Sequence, residues 1–160
     1  MTMLDPTQTL AATSAPAVGE SNQYVTFRCG AAGYGVPIMA VREIRSWQPT
    51  TPVPGRGPAS RGVLNIRGMV IEVLDLGVML GQGPVAEGHG KVVLVLSHKE
   101  KHLGLVGDAV SDIIQAEPGD LMPLPVRTAA LSGASLTAMV DHETGLIGVL
   151  DLDSLFEALL

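Results

Sequence analysis

The most constraining feature of this chain is an internal echo. Val73-Leu74-Asp75-Leu76 returns as Val149-Leu150-Asp151-Leu152. Ala40-Val41-Arg42-Glu43-Ile44 returns as Ala109-Val110-Ser111-Asp112-Ile113, with the same run of small, apolar, polar, acidic and apolar positions. The offsets are similar and the order is preserved. Each half also closes on an apolar, helix-like segment, GVML in the first and DSLFEALL in the second. A repeat of this kind implies two related units. Each unit, at ~60–70 residues, would be marginal alone, so the two are expected to share an apolar interface and to behave as one folding unit.

Composition decides what the units are made of. Of 160 residues, 46% are apolar, yet only Tyr24, Phe27, Tyr34, Trp47 and Phe156 are aromatic. Val, Leu and Ile must therefore build the core, and 19 glycines with 11 prolines cut the chain into short strands and turns. The single Cys29 excludes an internal disulfide and suits a reducing cytoplasm. No apolar run approaches the ~20 residues of a membrane helix, and the N-terminus lacks the basic-then-apolar order of a secretory signal. A soluble, cytoplasmic protein is expected.

Along the chain, residues 1–22 are small, polar and without period, and predict a disordered tail. In QYVTFRC, Val25, Phe27 and Cys29 alternate with Tyr24, Thr26 and Arg28, which predicts a half-buried strand with an inert core thiol. GAAGYG predicts a glycine-rich turn. Pro37 favours a short helical turn over IMAV, followed by a strand around EIRSWQ. After the proline- and glycine-rich loop QPTTPVPGRGPAS, VLNI and MVIEVLDL form a hairpin. GQGPVAEGHG, residues 81–90, reads as a linker. The expected division is a first barrel over 23–82 and a second over 91–160.

The hairpin raises the sharpest question. Between its two apolar runs stands Asn65-Ile66-Arg67-Gly68. Gly68 supplies a positive φ if the turn is of a primed type, and Arg67 is then held out from a rigid strand end. Charge is also uneven. Through Arg67 there are six basic residues against three acids, and from Glu72 onward four against thirteen. Arg42, Arg45, Arg56, Arg61 and Arg67 fall in one segment whose only acid is Glu43. This reads either as chance surface charge or as a basic face on a protein of net charge −6, suited to an acidic protein partner.

GYGVPIMAVREI, the proline-rich loop, RGVLNIRG, VIEVLDL and HLGLVGDAVSDII, in this order, resemble the CheW-type chemotaxis coupling proteins. The resemblance spans about residues 22 to 156 and is most specific over Gly62–Gly68. It implies a mainly all-β fold of two five-stranded barrels of the Src-homology-3 type, tandem or intertwined, with short helices at the barrel ends and the C-terminus. By the same token residues 23–160 are one CheW-like domain. The implied function is a non-enzymatic adaptor that binds the regulatory domain of a CheA-type histidine kinase and the cytoplasmic tip of chemoreceptors. It would be monomeric alone and would assemble into arrays at the membrane without inserting into it. A coupling protein of twitching motility or another non-flagellar system would look alike. The resemblance makes Arg67 important for kinase control and places Gly62, Val41 and Glu43 at partner contacts. Asn65, Gly68 and Arg45, from the same turn and strand, join them as candidates. Val41 fits a core position equally well, Glu43 fits a partner for Arg45 or Arg67, and Gly62 fits a backbone requirement. The family often carries proline where Glu72 stands and valine at Gly107.

Other chemistries fit less well. An acidic chain with five scattered aromatics is unsuited to nucleic acid, which needs basic surface and stacking platforms. In His98-Lys99-Glu100-Lys101-His102 the two histidines and the glutamate share a face if extended, but the segment falls where a polar hairpin turn is expected. Asp75 and Asp151, matched across the repeat, suit caps of the short helices that follow rather than a carboxylate pair. His142 lies in another turn, and no GxxxxGK[ST] loop is present. No cofactor, metal or enzymatic activity is expected.

Overall fold

The structure is a computed structural model that describes residues 22–86, 90–124, 136–143 and 145–157. Apart from Asn22, the tail expected over 1–22 lies outside the described residues.

Apolar runs punctuated by glycine and proline fold as expected into short strands. They are β1 (Gln23–Cys29), β2 (Ala32–Pro37), β3 (Val41–Ser46), β4 (Ser60–Ile66) and β5 (Met69–Asp75), then β6 (Val92–His98), β7 (Lys101–Gly107), β8 (Ala109–Gln115), β9 (Leu121–Met122), β10 (Leu136–His142) and β11 (Gly145–Leu150). Helix α1 (Leu76–Met79) follows β5, and α2 (Leu152–Glu157) follows β11. The helical turn predicted after Pro37 is a single 3-10 turn over Ile38–Ala40. The strand placed around EIRSWQ begins earlier, at Val41, and ends before Trp47.

The strands form two sheets, ordered β3-β6-β7-β5-β4 and β9-β10-β11-β2-β1-β8. Neither sheet is drawn from one half of the chain, so the division into barrels at 82 and 91 is corrected. β1 and β2 belong with the second-half strands, and β6 and β7 with the first-half strands; of the two arrangements the resemblance allows, the fold is the intertwined one. The cause is local. The β6–β7 hairpin is the next strand pair after β5 and fills the edge β5 leaves open, with β7 parallel to β5 (Val73 opposite Gly104, Asp75 opposite Val106). The β1–β2 hairpin takes the equivalent place beside β11, with Ile147 opposite Gly33 and Val149 opposite Gly35. The repeat thus extends to sheet order and even to irregularities. β3 and β8 each slip register against their hairpin partner, between Val41 and Glu43 in one and opposite Thr26 and Phe27 in the other.

The main core spans both sheets. Phe27, Cys29, Tyr34 and Val36 of one sheet pack in the same cluster as Leu74, Leu94, Leu103 and Leu105 of the other, with Leu155 and Phe156 of α2. Two expectations need correction. GYG was assigned to a turn, but only Gly30 and Ala31 turn, and Gly33-Tyr34-Gly35 is strand. Its small residues let β11 lie close, since a Cβ on Gly33 would stand 2.7 Å from Ile147 Cδ1. Thr26, assigned outward, is buried at 2% exposure, with its hydroxyl donating to the Asp112 carbonyl. β1 lies between β2 and β8, and the slip of register between Thr26 and Phe27 interrupts its alternation.

The residues 81–90, a linker by composition, are partly anchored. Val85 is buried, its N–H donates to the Asp75 carboxylate and its carbonyl accepts from Arg61 Nη1.

Candidate functional site

β4 and β5 are joined by the two residues Arg67 and Gly68, with φ of +55° and +86°. Two positive φ angles in a two-residue loop are the mark of a type I′ turn. Gly68 adopts such an angle freely, as the sequence predicted. Arg67 does not, and a side chain there costs on the order of 1–2 kcal/mol. The turn is braced by Asn65, whose Oδ1 accepts from the Gly68 N–H at 2.9 Å. Asn65 is therefore a clamp on the turn, and a strained arginine is what the clamp holds out. The Arg67 side chain is 79% exposed.

One contact ties Arg67 back to the sheet. Its Nε donates to Glu43 Oε2 at 3.1 Å, while Arg45 Nη1 donates to Glu43 Oε1 at 3.0 Å. Glu43, only 24% exposed, thus divides its two oxygens between two guanidiniums. The bond from Arg45 is the main cause holding its carboxyl below the usual glutamate range, with Arg67 adding to it and partial burial opposing. Arg45 is not fully satisfied: its Nε is buried and has no acceptor among the described residues. On β3, Val41, Glu43 and Arg45 are half-buried while Arg42 and Ile44 are exposed. Val41 packs against the main core. Met69 and Val70, just beyond the turn, are exposed at 46% and 73%.

The structure therefore brings Arg67, Gly68, Asn65, Glu43 and Arg45 together and leaves Gly62 apart. Gly62 lies in a register slip of β4, at φ +100°, beside a cleft of about 390 Å³ whose walls include Trp47, Pro52 and Arg56. A Cβ there would overlap the Thr51 carbonyl oxygen and stand 2.7 Å from its carbon. Gly62 lets the proline-rich loop bridge to β4 through Thr51 and Val63.

The five-arginine segment is also divided. Arg56 grips Glu72 through Nε and Nη2 at 2.6 and 2.7 Å, and the Ser60 hydroxyl adds a third bond. Arg56 first, then Ser60, draws the Glu72 carboxyl below its ordinary value. Glu72, standing where the family often has proline, thereby pins the loop to β5. Arg61 pairs at 2.5 Å with Asp75, which is fully buried. Asp75 also caps α1 through the Val78 N–H, as its place in the repeat predicted. The sequence left the five arginines open between chance surface charge and one basic face; the missed signal was the pairing of Arg56 and Arg61 with acids that follow Arg67 in the chain. Asp151 accepts from the Asp153 N–H at the start of α2.

The HKEKH segment turns at Lys99 and Glu100, both at positive φ, so His98 and His102 do not lie along one extended face. His98 Nε2 instead meets Asp153 Oδ1 of α2 at 2.7 Å, and its ring lies 5.4 Å from that of Phe156. Cys29 is buried, and burial first, then Asp108, pushes its thiol up to about 11.

Two interlocked sheets, with an exposed arginine held at positive φ in the β4–β5 turn, define a barrel-type all-β fold. The family is shown by comparison: the chain belongs to the CheW-like domain family, whose model matches residues 23–160. It is 34% identical over 134 residues to the chemotaxis protein CheW of Rhizobium meliloti, covering 84% of this chain and 86% of that one. It is 28% identical to the chemotaxis protein CheW of Klebsiella aerogenes, covering 92% of this chain and 90% of the relative. The fold is similar to the crystal structure of scaffolding protein TtCheW from Thermoanaerobacter tengcongensis, with a TM-score of 0.74 at 22% identity, covering 82% of this chain and 89% of that one. Among the described residues no helix is long and apolar enough to cross a membrane.

Proposed function

We propose that this chain is a non-enzymatic scaffold that couples chemoreceptors to a CheA-type histidine kinase in a cytoplasmic signalling array. The carrying observation is the Arg67 turn. An arginine kept at positive φ in a turn braced by Asn65, with its side chain 79% exposed, is a charged group displayed outward from a rigid strand end. Membership of the CheW-like domain family supports the reading. In this role the protein works by geometry. One face meets the kinase and another the receptor helices, so that a small receptor shift biases the kinase. Each contact is of micromolar order, and array assembly supplies the remainder through multivalency.

The test is reconstitution. Kinase autophosphorylation is followed with a receptor fragment, with and without this protein, and with its Arg67→Ala form. The wild type is expected to make the kinase rate receptor-dependent. Arg67→Ala is expected to melt as the wild type does yet lose about thirtyfold in partner affinity, as a hot-spot arginine does. A kinase indifferent to the wild-type protein, with the cognate receptor present, would refute the reading.

A further inference from the structure

The Glu43 cluster is arranged so that one ion pair can be traded for another. Glu43 holds Arg45 with one oxygen and Arg67 with the other. The two arginines are unequal. Arg67 is 79% exposed, whereas Arg45 is 32% exposed and keeps a buried Nε–H that finds no acceptor among the described residues. A buried donor without an acceptor raises the free energy of the state that contains it. The isolated chain therefore carries an unmet bond at Arg45, next to a carboxylate half committed elsewhere.

We infer that Arg45 is a positioning residue that takes over Glu43 when a carboxylate of the partner engages Arg67. This rests on the reading of the chain as a coupling scaffold and names the chemistry of its partner's contact. A carboxylate arriving at the exposed guanidinium of Arg67 is repelled by Glu43, which already sits on Arg67 Nε. Glu43 yields by turning both oxygens toward Arg45, and rotation of the Arg45 side chain presents its Nε edge to receive them. The buried donor gains its acceptor, which offsets the Glu43–Arg67 bond given up. Binding then removes no net charge pairing from the protein. A basic partner group would instead draw Glu43 outward and leave Arg45 with less than it has. The cluster thus selects an acidic contact, and the exposed Met69 and Val70 beside the turn supply apolar area around it.

The exchange is read directly from the arginine side-chain Nε–Hε resonances of the full chain. They are recorded for the wild type, for Arg67→Ala, and for the wild type saturated with a chemoreceptor cytoplasmic fragment. Arg67→Ala removes the competitor, so the Arg45 Hε is expected to shift downfield and exchange more slowly with solvent. The fragment is expected to move the same resonance in the same direction. Arg45→Gln is expected to weaken fragment binding about tenfold or more, the size of one charged hydrogen bond, while Arg45→Lys fails to rescue because it has no Nε fork. An Arg45 resonance unchanged in Arg67→Ala overturns the exchange. A fragment that binds without moving it also overturns the exchange and leaves the scaffold reading standing. A fragment that does not bind, with the shift present in Arg67→Ala, removes the receptor as the partner and upholds the exchange.

Discussion

Replacing Gly62 with alanine separates two explanations of a residue that the family resemblance places at a partner contact. In the structure its duty is internal. At φ +100° an L-side chain is strained by on the order of 1–2 kcal/mol. The added Cβ would overlap the Thr51 carbonyl oxygen and lie 3.0 Å from Pro52 Cα, so the loop must withdraw. Withdrawal breaks the paired backbone bonds from Thr51 N–H to the Val63 carbonyl at 3.0 Å and from Val63 N–H to the Thr51 carbonyl at 2.8 Å. Each is worth about 1 kcal/mol, for a total loss of about 3–4 kcal/mol. For a domain of this size that lowers Tm by about 10 °C. The assay is thermal unfolding followed by circular dichroism, with Gly57→Ala as the control, since a Cβ at Gly57 meets nothing within 4 Å. The control is expected to melt with the parent. A Gly62→Ala variant that also melts within about 2 °C of the parent would refute the reasoning and return Gly62 to the partner surface.

Breaking the buried pair is expected to be comparably severe. Arg61→Ala leaves Asp75 buried beside two backbone N–H donors and costs about 3 kcal/mol, whereas Asp75→Ala also strips the α1 cap and the Val85 N–H bond and costs about 5 kcal/mol. Urea unfolding of both singles and the double should show the double costing less than their sum; additivity would mean the two do not act as a pair. Glu72 is held below its ordinary range by Arg56 and Ser60, so its contribution is complete above that range and is lost as pH falls through it. Stability measured from pH 6 to pH 3 should fall less steeply in Glu72→Gln, and parallel curves would contradict the pairing. Cys29, its thiol pushed up to about 11 and shielded in the core, should react with a thiol reagent at pH 8 only as fast as the protein opens. Labelling as fast as that of the unfolded chain would show the site to be accessible.

Strands announced themselves where apolar and turn residues alternated cleanly. The β4–β5 hairpin is the clearest case, because Gly68 fixes the turn and two apolar runs flank it. Capping by Asp75 was legible because the repeat displayed the same aspartate twice, each time before a helix-like segment. What failed was non-local. No local pattern says that β7 lies parallel to β5 or that β2 lies parallel to β11, since pairing depends on which strand edges remain open. In the site the sequence offered Glu43 as a partner for Arg45 or Arg67, and the fold, by bringing β3 beside a turn more than twenty residues on, makes it serve both. For Gly62 a backbone requirement was one of two readings and is what the structure shows, but its source was not legible, because the obstacle is a carbonyl on another loop.

Interleaving of the sheets has a consequence for how the molecule is made. During synthesis β1 and β2 leave the ribosome first, and a lone two-stranded hairpin is at best marginally stable in water. β1 must wait for Ile113 and β2 for Ile147 before their neighbours exist. At 5–20 residues per second that is a delay of about ten seconds, during which Val25, Phe27 and Val36 are out of the tunnel with no core to enter. The five-stranded sheet closes earlier, once β7 has emerged, and offers those side chains their first apolar surface. The chain is also indivisible at its most obvious cut. Cleavage within residues 81–90 yields two pieces that each hold strands of both sheets, so each piece lacks partners that its own strands pair with in the intact fold.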